Sequence, residues 1–388
     1  MNRFLTIERR AAPVSFLYLG TLTVVLAGWL PAAFGAGIGT ASFELLFVLT
    51  SLLMLWRYGA RKDSLLAYQV FWASYLGIGF LLSVWIRGVN ALDFAQAYKF
   101  VWYLALLPPF AWANGAMRPA DFRRLLNAAL TMFLLVYTIK RLAGIDRPTL
   151  IGENNFELVF LALIYYSAHV AGCKLSAIQT LALLVVVVLS GSRSAAIAIA
   201  LAIALTYDFK TRNPAKLIGG LIAGALGFAL AVLIFESRSH GGIESIDRFR
   251  FLMMFSESVS GWGVFDYLLG ADRLTQLPPH VCSSLSYYAS LFSYEDNGTC
   301  YSVILHSFNL RIIHDHGILI AILASLYLLR LTRTATLVQR LCLLGIIFIN
   351  GLSVSALNNV YVALGIAFFC LAASVAQREQ PQTSDTRP

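Results

Sequence analysis

The sequence predicts an all-α polytopic membrane protein with about twelve transmembrane helices and one long extramembrane loop. Of its 388 residues, 59% are hydrophobic and only 13% are charged, whereas roughly 25% are charged in an ordinary soluble domain. The mean hydropathy is +0.72. These values exclude a soluble domain, a disordered chain and a small disulfide-rich protein. They leave a chain whose apolar segments cross a bilayer.

Apolar runs bounded by charged residues, glycine or proline are each interpreted as one membrane span. Nine of them occupy residues 1–235 and three occupy residues 304–376. The runs are 14–30, 40–56, 64–86, 98–117, 125–139, 157–172, 175–190, 194–207, 215–235, 315–329, 341–351 and 360–376. The long loop, residues 236–303, separates the two groups of spans. The polar tail 377–388 is expected to be disordered and cytoplasmic.

The distribution of positive charge predicts the orientation. The formal net charge is +9, which in a soluble protein would suggest nucleic-acid binding. With the N-terminus placed inside, most of the 29 lysines and arginines fall in segments that face the cytoplasm. The positive-inside rule therefore accounts for the charge without nucleic acid. It predicts a membrane protein with both termini cytoplasmic and the long loop on the outer side.

Cysteine positions agree with that placement of the long loop. Cys282 and Cys300 both lie in it, whereas the other three cysteines lie in or beside predicted spans. In an oxidising compartment such a pair can form a disulfide. Closing a loop of about 19 residues is worth roughly 3 kcal/mol in the chain-entropy model. We therefore expect a disulfide between these two residues.

Arginines on the predicted outer side are candidates for binding an anion. Arg193 follows Ser190-Gly191-Ser192 between two apolar runs, and Arg238, Arg248 and Arg250 lie in the long loop. A guanidinium group offers a bidentate fork that matches phosphate. The alternatives are a snorkelling arginine at the membrane interface for Arg193 and ordinary surface charges for the others. Because outer arginines run against the charge bias, at least one of them is expected to bind an anionic substrate.

His306 is the candidate proton acceptor. It begins the run that returns to the membrane, and it shares one helical face with Asn309 and Leu310. An imidazole at the rim of the membrane can accept a proton from a hydroxyl near neutral pH. The alternative is a capping or interfacial histidine. Neither metal-ligand spacing, nor Asp-x-Asp, nor a phosphate-binding or dinucleotide-binding glycine pattern occurs, so no metal and no cofactor is expected.

Four short motifs, spread over about residues 150–320, carry a resemblance to a known family. They are Gly152–Phe156, Ser190–Ser194, the long loop with Arg248 and Arg250 followed by Leu268-Leu269-Gly270, and His306–Leu310 followed by Asp315–Ile318. In order and spacing the chain resembles the O-antigen ligase and O-antigen polymerase superfamily of bacterial inner-membrane glycosyltransferases. The resemblance implies a GT-C-like fold.

The resemblance also implies a reaction. The family catalyses inverting, metal-independent glycosyl transfer from a glycan on undecaprenyl diphosphate at the periplasmic face. By resemblance, Arg193 and an arginine of the long loop hold the diphosphate, and His306 is the general base on the acceptor hydroxyl. Asn309, on the same helical face as His306, is a further candidate for substrate binding.

Partners and alternatives follow from the same resemblance. The acceptor is a second lipid-linked repeat in a polymerase of O-antigen or exopolysaccharide, and a lipid A core sugar in a ligase. A chain-length regulator is a further expected partner. Ser307 stands where ligase-type sequences usually have asparagine, which favours the polymerase. A flippase or transporter of lipid-linked oligosaccharide is the alternative class. The long outer loop and the scarcity of charge in the spans, with Glu44 as the main candidate, favour an enzyme.

Overall fold

The computed structural model describes residues 2–28, 38–59, 61, 63–113, 117–206 and 247–379, with the side chains of 2–11, 38–39, 193–194, 247–248 and 376–379 outside that description. Within these ranges every regular element is a helix. The α-helices are α1 Asn2–Ala27, α2 Ile38–Tyr58, α3 Ser64–Phe80, α4 Ala91–Ala97, α5 Lys99–Leu106, α6 Pro108–Trp112, α7 Pro119–Leu142, α8 Asn154–Val170, α9 Ala177–Ser190, α10 Arg193–Thr206, α11 Asp247–Ser258, α12 Val264–Leu269, α13 Pro279–Ser284, α14 Phe308–Leu331, α15 Leu337–Gly351 and α16 Val360–Glu379.

Four helical segments in the described ranges are long and apolar enough to cross a bilayer. They are Thr40–Tyr58, Ser64–Ile86, Pro119–Leu142 and Phe308–Leu331, and the second of them includes a π-helical end at Leu81–Ile86. Five shorter apolar helices accompany them. This composition identifies a membrane protein. Most predicted spans coincide with one helix each, although the span 215–235 lies outside the described residues.

The apolar run 98–117 differs from its prediction as one continuous span. It forms α5 and α6, which meet at Leu107. Pro108 and Pro109 explain the interruption, because proline has no N–H to continue the helical ladder and its ring crowds the preceding turn. At the C-terminus, α16 continues to Glu379, slightly beyond the predicted start of the disordered tail, and residues 380–388 lie outside the description.

The central elements are α8 and α16, which pack against each other. Every residue of α8 except Asn155 and His169 is buried. A helix that is apolar on all sides belongs inside a bundle rather than at its surface. Gly365 allows the close approach, because a Cβ at that position would lie 2.7 Å from Leu163 Cβ. Helices α2, α7, α10 and α15 pack on this pair, and α1 packs on α2 and α7.

Hydrogen bonds between helix termini define two ends of the bundle. At one end the long loop packs, and we name it the loop end. The other, the opposite end, is marked by bonds from Arg330 Nε to Ser64 Oγ at 2.8 Å, from Tyr166 Oη to the Gln339 carbonyl at 3.1 Å and from Cys173 Sγ to the Pro119 carbonyl at 3.0 Å. Helix α1 ends near the loop end, where the backbone of Gly28 approaches Leu150 and Ile151. The N-terminus of α1 therefore lies toward the opposite end, and so does the C-terminal part of α16, where Phe369 stacks on Tyr166.

Candidate functional site

The described part of the long loop forms a small hydrophobic core of its own. Helices α11 and α13 contribute Phe251, Met254 and Val281 to it, and Ile304 and Leu305 from the turn that follows the loop complete it. Cys282 and Cys300 are joined by a disulfide inside this core, with their Cα atoms 5.7 Å apart. The pairing agrees with the prediction from the sequence. The loop is thus a folded cap rather than a simple connection.

Buried Asp93 on α4 attaches the cap to the bundle. Its carboxylate accepts hydrogen bonds from Ser293 Oγ at 2.5 Å and from the backbone N–H of Tyr294 at 3.1 Å. A second attachment joins the end of the π-helical stretch to the loop, since Arg87 Nη1 donates to the carbonyl of Arg273 at 2.6 Å. Burial, together with the nearby charge of Asp93, raises the pKa of Tyr301 in the same region.

His306 lies where the cap meets α14. A short 3₁₀ turn, Ser302–Leu305, ends at this residue, whose backbone is left-handed with φ of 53°. A non-glycine residue in that conformation costs roughly 1–2 kcal/mol, which the surrounding structure must hold. The half-buried imidazole lies against the rings of Phe251 and Tyr288, with centroid separations of 5.4 and 5.3 Å. The cap therefore fixes the position of the candidate base.

Ser307 and Asn309, just after His306 in the sequence, link α14 to α15 by hydrogen bonds. Ser307 caps α14 by accepting from the Leu310 N–H at 3.4 Å, and its hydroxyl donates to the Gly351 carbonyl at 2.9 Å. Asn309 Nδ2 donates to the Phe348 carbonyl at 3.1 Å. Asn309, a candidate for substrate binding, thus uses its amide nitrogen to position α14, and its contact with substrate stays a prediction.

A buried polar network lies two turns further along α14. Asp315 accepts from Ser302 Oγ and contacts His314 Nδ1 at 2.8 Å. Because Ser302 begins the turn that carries His306, Asp315 fixes that turn to α14. The neighbouring His316 contacts the Tyr75 hydroxyl through Nδ1 at 2.8 Å. The guanidinium of Arg273 in the cap lies 4.1 Å above the Tyr75 ring, a cation–π geometry.

Two glycines cross where α12 packs on α14, which joins the third and fourth motifs. Both have positive φ, 82° at Gly270 and 79° at Gly317. A Cβ on Gly270 would lie 2.6 Å from the Gly317 nitrogen, and one on Gly317 would collide with the Leu268 carbonyl oxygen. Gly317 interrupts α14, and the N–H of Ala271 donates to the His314 carbonyl at 2.7 Å. Glycine is required at both positions.

The first and second motifs are likewise bonded to each other. Asn154 Nδ2 donates to the carbonyls of Pro148 and Ser190, at 2.8 and 3.1 Å. Ser192 Oγ donates to Asn155 Oδ1 at 2.5 Å. Helix α9 ends in a left-handed Gly191, so that α10 begins two residues later beside the start of α8.

Glu157 stabilises the loop that leads into the first motif. Its fully buried carboxylate accepts from the backbone N–H groups of Leu150, Ile151 and Gly152 at 2.6 to 2.8 Å. The Tyr137 hydroxyl donates a fourth bond at 3.1 Å. Donors surrounding a carboxylate in this way compensate for its removal from water.

All four motifs lie at the loop end. Tyr166, near the end of α8, bonds to Gln339 at the start of α15, and this contact lies at the opposite end. The start of α8 and the end of α15 therefore both lie at the loop end. The first two motifs are at the start of α8, and Ser307 bonds to Gly351 at the end of α15. The chain folding therefore gathers segments separated by more than a hundred residues.

The structure describes the side chain of Arg250 but not those of the other three candidate arginines. Arg250 on α11 is exposed, is adjacent to Phe251, and donates through Nη2 to the Ser284 carbonyl. Arg193 begins α10 and Arg248 lies in α11, but the side chains of both lie outside the description. Arg238 falls within residues 207–246, also outside it. The convergence of these guanidinium groups with His306 stays a prediction.

The sequence interpretation missed several buried ionisable residues. It identified Glu44, which pairs with Lys99 at 2.7 Å and accepts from the Tyr103 hydroxyl at 3.0 Å. It did not single out Glu157 or Arg311, and it named Asp315 only as part of the fourth motif, although charged residues within apolar runs usually mark functional or structural sites in membranes. Arg311 and Asp315 line a small cavity with His316 and Asn358. The scarcity of buried charge therefore does not separate an enzyme from a transporter here.

No protein-family model matches the chain, and a comparison with curated proteins finds no significant match. The class that the fold defines is a membrane protein whose described residues form helices without strands. A more specific assignment depends on the motifs and on their arrangement at the loop end.

Proposed function

We propose that the chain is an inverting, metal-independent glycosyltransferase that polymerises polysaccharide repeat units on undecaprenyl diphosphate. One observation carries the proposal. The four motifs of the family resemblance are far apart in sequence, yet they lie at one end of the bundle under a disulfide-bonded cap. A periplasmic active site at the loop end is consistent with the clustering of positive charge in segments of the opposite end, such as Arg330, Arg333 and Arg340.

The proposed reaction is a single displacement at the anomeric carbon. His306 accepts the proton of the acceptor hydroxyl as the hydroxyl oxygen bonds to the donor's anomeric carbon. The bond from that carbon to the diphosphate oxygen breaks, and its electron pair leaves with the diphosphate. Arg193 and one of Arg238, Arg248 and Arg250 bind the departing charge. Attack from the face opposite the leaving group inverts the anomeric centre.

A deletion strain complemented with variants tests the proposal. His306→Ala should abolish extended polysaccharide on a gel while protein remains in the membrane, since a positioned base is worth roughly 10²–10⁴-fold. His280→Ala is the matched control, because this loop histidine is exposed and 3.7 Å from Glu257. Full-length polymer from the His306→Ala strain would contradict the assignment of the base.

Arg193→Lys tests the anion site. The ammonium keeps the positive charge but loses the bidentate fork, so polymer length or yield should fall severely at equal protein level. Wild-type polymer from this variant would remove Arg193 from the site.

The deletion phenotype distinguishes the enzyme classes. Single-repeat products in the deletion strain indicate a polymerase. Loss of all core-attached chains with accumulation of lipid-linked polymer indicates a ligase. Purified protein incubated with lipid-linked repeats in vesicles should lengthen them, whereas a flippase would move the donor across the membrane unchanged.

A further inference from the structure

Helix α12 in the cap exposes an apolar face that the proposed chemistry does not use. Val264, Phe265 and Leu269 are 74%, 76% and 63% exposed. At 100° per residue these three side chains occupy one arc of the helix, which we name the α12 apolar face. Asp266 lies on the other side and accepts from the Gly263 N–H at 2.8 Å, so the helix is amphipathic. Large apolar residues exposed together mark an interaction surface.

The position at which α12 crosses α14 gives the depth of α12 in the membrane. The crossing at Gly317 lies 13 residues before Arg330, which is about 20 Å of helix. Arg330 bonds to Ser64, and Arg333 pairs with Asp63 at 3.4 Å, so these charges mark the membrane boundary at the opposite end. Since the hydrocarbon core is about 30 Å thick, the crossing lies roughly 10 Å inside the other boundary.

Exposed apolar residues also occur on α14 just after the crossing and at the end of the α3 segment. Ile318 and Leu319 follow Gly317 on α14 and are exposed, as are Trp85 and Ile86 at the loop end of the α3 segment. Both segments qualify as membrane spans. The cap returns to the boundary just after α12, where the Arg273 carbonyl accepts from Arg87. The α12 apolar face thus adjoins the exposed apolar residues of α14 that follow Gly317.

We propose that α12 is a membrane-inserted helix of the cap, and that its apolar face contacts the acyl chains of the leaflet at the loop end. Acyl chains match the chemistry, since the arc carries neither charge nor a hydrogen-bonding side chain that a glycan or phosphate would require. An amphipathic helix with its apolar face buried about 5–10 Å into a leaflet is a known mode of membrane attachment. The cap is then held between the bundle and the bilayer. This inference does not depend on glycosyl transfer.

Nitroxide accessibility in vesicles of phosphatidylethanolamine and phosphatidylglycerol tests the insertion. A spin label at Phe265→Cys, in full-length protein whose free cysteines Cys173, Cys342 and Cys370 are replaced by alanine, should be accessible to oxygen and shielded from a water-soluble nickel complex. Tyr287→Cys is the matched control, because Tyr287 is an aromatic residue of the same cap and is 88% exposed. The oxygen-to-nickel ratio at position 265 should exceed that at 287 several-fold.

Other outcomes overturn the proposal. Equal nickel access at both positions would place α12 in water. A label at 265 shielded from both reagents would mean that protein, from this chain or a second copy, covers the face. Val264→Cys repeats the measurement on the same face if the first variant folds poorly.

Discussion

Where α8 meets α16, the interface is mostly apolar, and Gly365 lies close against Leu163. At the loop end, buried carboxylates make the connections instead. Glu157 gathers three backbone N–H groups, Asp315 holds Ser302, and Asp93 holds Ser293. The stability of the centre depends on side-chain volume. The stability of the loop end depends on particular hydrogen-bond donors to its carboxylates and on two glycines. An isosteric change of charge, or a methyl group on either crossing glycine, should therefore damage the loop end, whereas the centre should be sensitive only to a change of side-chain volume.

The largest effect is expected where backbone crosses backbone. Gly317→Ala should destabilise the folded protein by about 3–6 kcal/mol, because it combines an unfavourable φ with a collision against the Leu268 carbonyl. The midpoint of thermal unfolding in detergent measures the loss. Gly144→Ala is the control, since Gly144 has φ of +82° but nothing within 4 Å of its Cβ position. Similar losses for both variants would show that the crossing contributes little.

The next effect tests the carboxylates. Glu157→Gln keeps the shape of the side chain but directs an NH₂ group toward N–H donors, which should cost about 3 kcal/mol. Asp146→Asn is the control, because Asp146 is 92% exposed and pairs with Arg141 at 3.3 Å. That variant should change the free energy of unfolding by less than about 1 kcal/mol. Denaturant titration of both variants gives the comparison, and equal losses would contradict it.

The smallest effect belongs to the centre. Gly365→Ala should cost about 1–3 kcal/mol through overpacking against Leu163. Gly77→Ala in α3 should be neutral or stabilising by up to about 1 kcal/mol, because nothing lies within 4 Å of its Cβ position and alanine favours helix. The same unfolding measurement applies. A stabilised Gly365→Ala variant would show that the interface has room to spare.

The family resemblance and its chemistry stand apart from these stability effects. A variant such as Glu157→Gln that unfolds will lose any activity, so the role of His306 must be judged against its own control, His280→Ala. The two sets of experiments therefore separate what holds the loop end together from what it does.

Much of the helix pattern could be predicted from the sequence alone. The limits 64–86 coincide with the segment Ser64–Ile86, because a run of apolar side chains bounded by charge is a local property of the chain. The Cys282–Cys300 disulfide also agrees with expectation, since both residues belong to one polar loop. The division of 98–117 into two helices could have been anticipated from Pro108 and Pro109, which a hydropathy count does not weigh.

The sequence by itself determined the helical, membrane-spanning character of the described residues, the main apolar helices and the motifs. Only the tertiary structure decided how the motifs are joined. The crossing of Gly270 and Gly317 requires two backbones from separate segments to meet, and the burial of Glu157 and Asp315 requires donors supplied by other segments of the chain. The free energy of a buried carboxylate depends on those donors rather than on neighbours in sequence. Hydrophobicity is local and additive, whereas the satisfaction of buried polar groups is set by the whole fold.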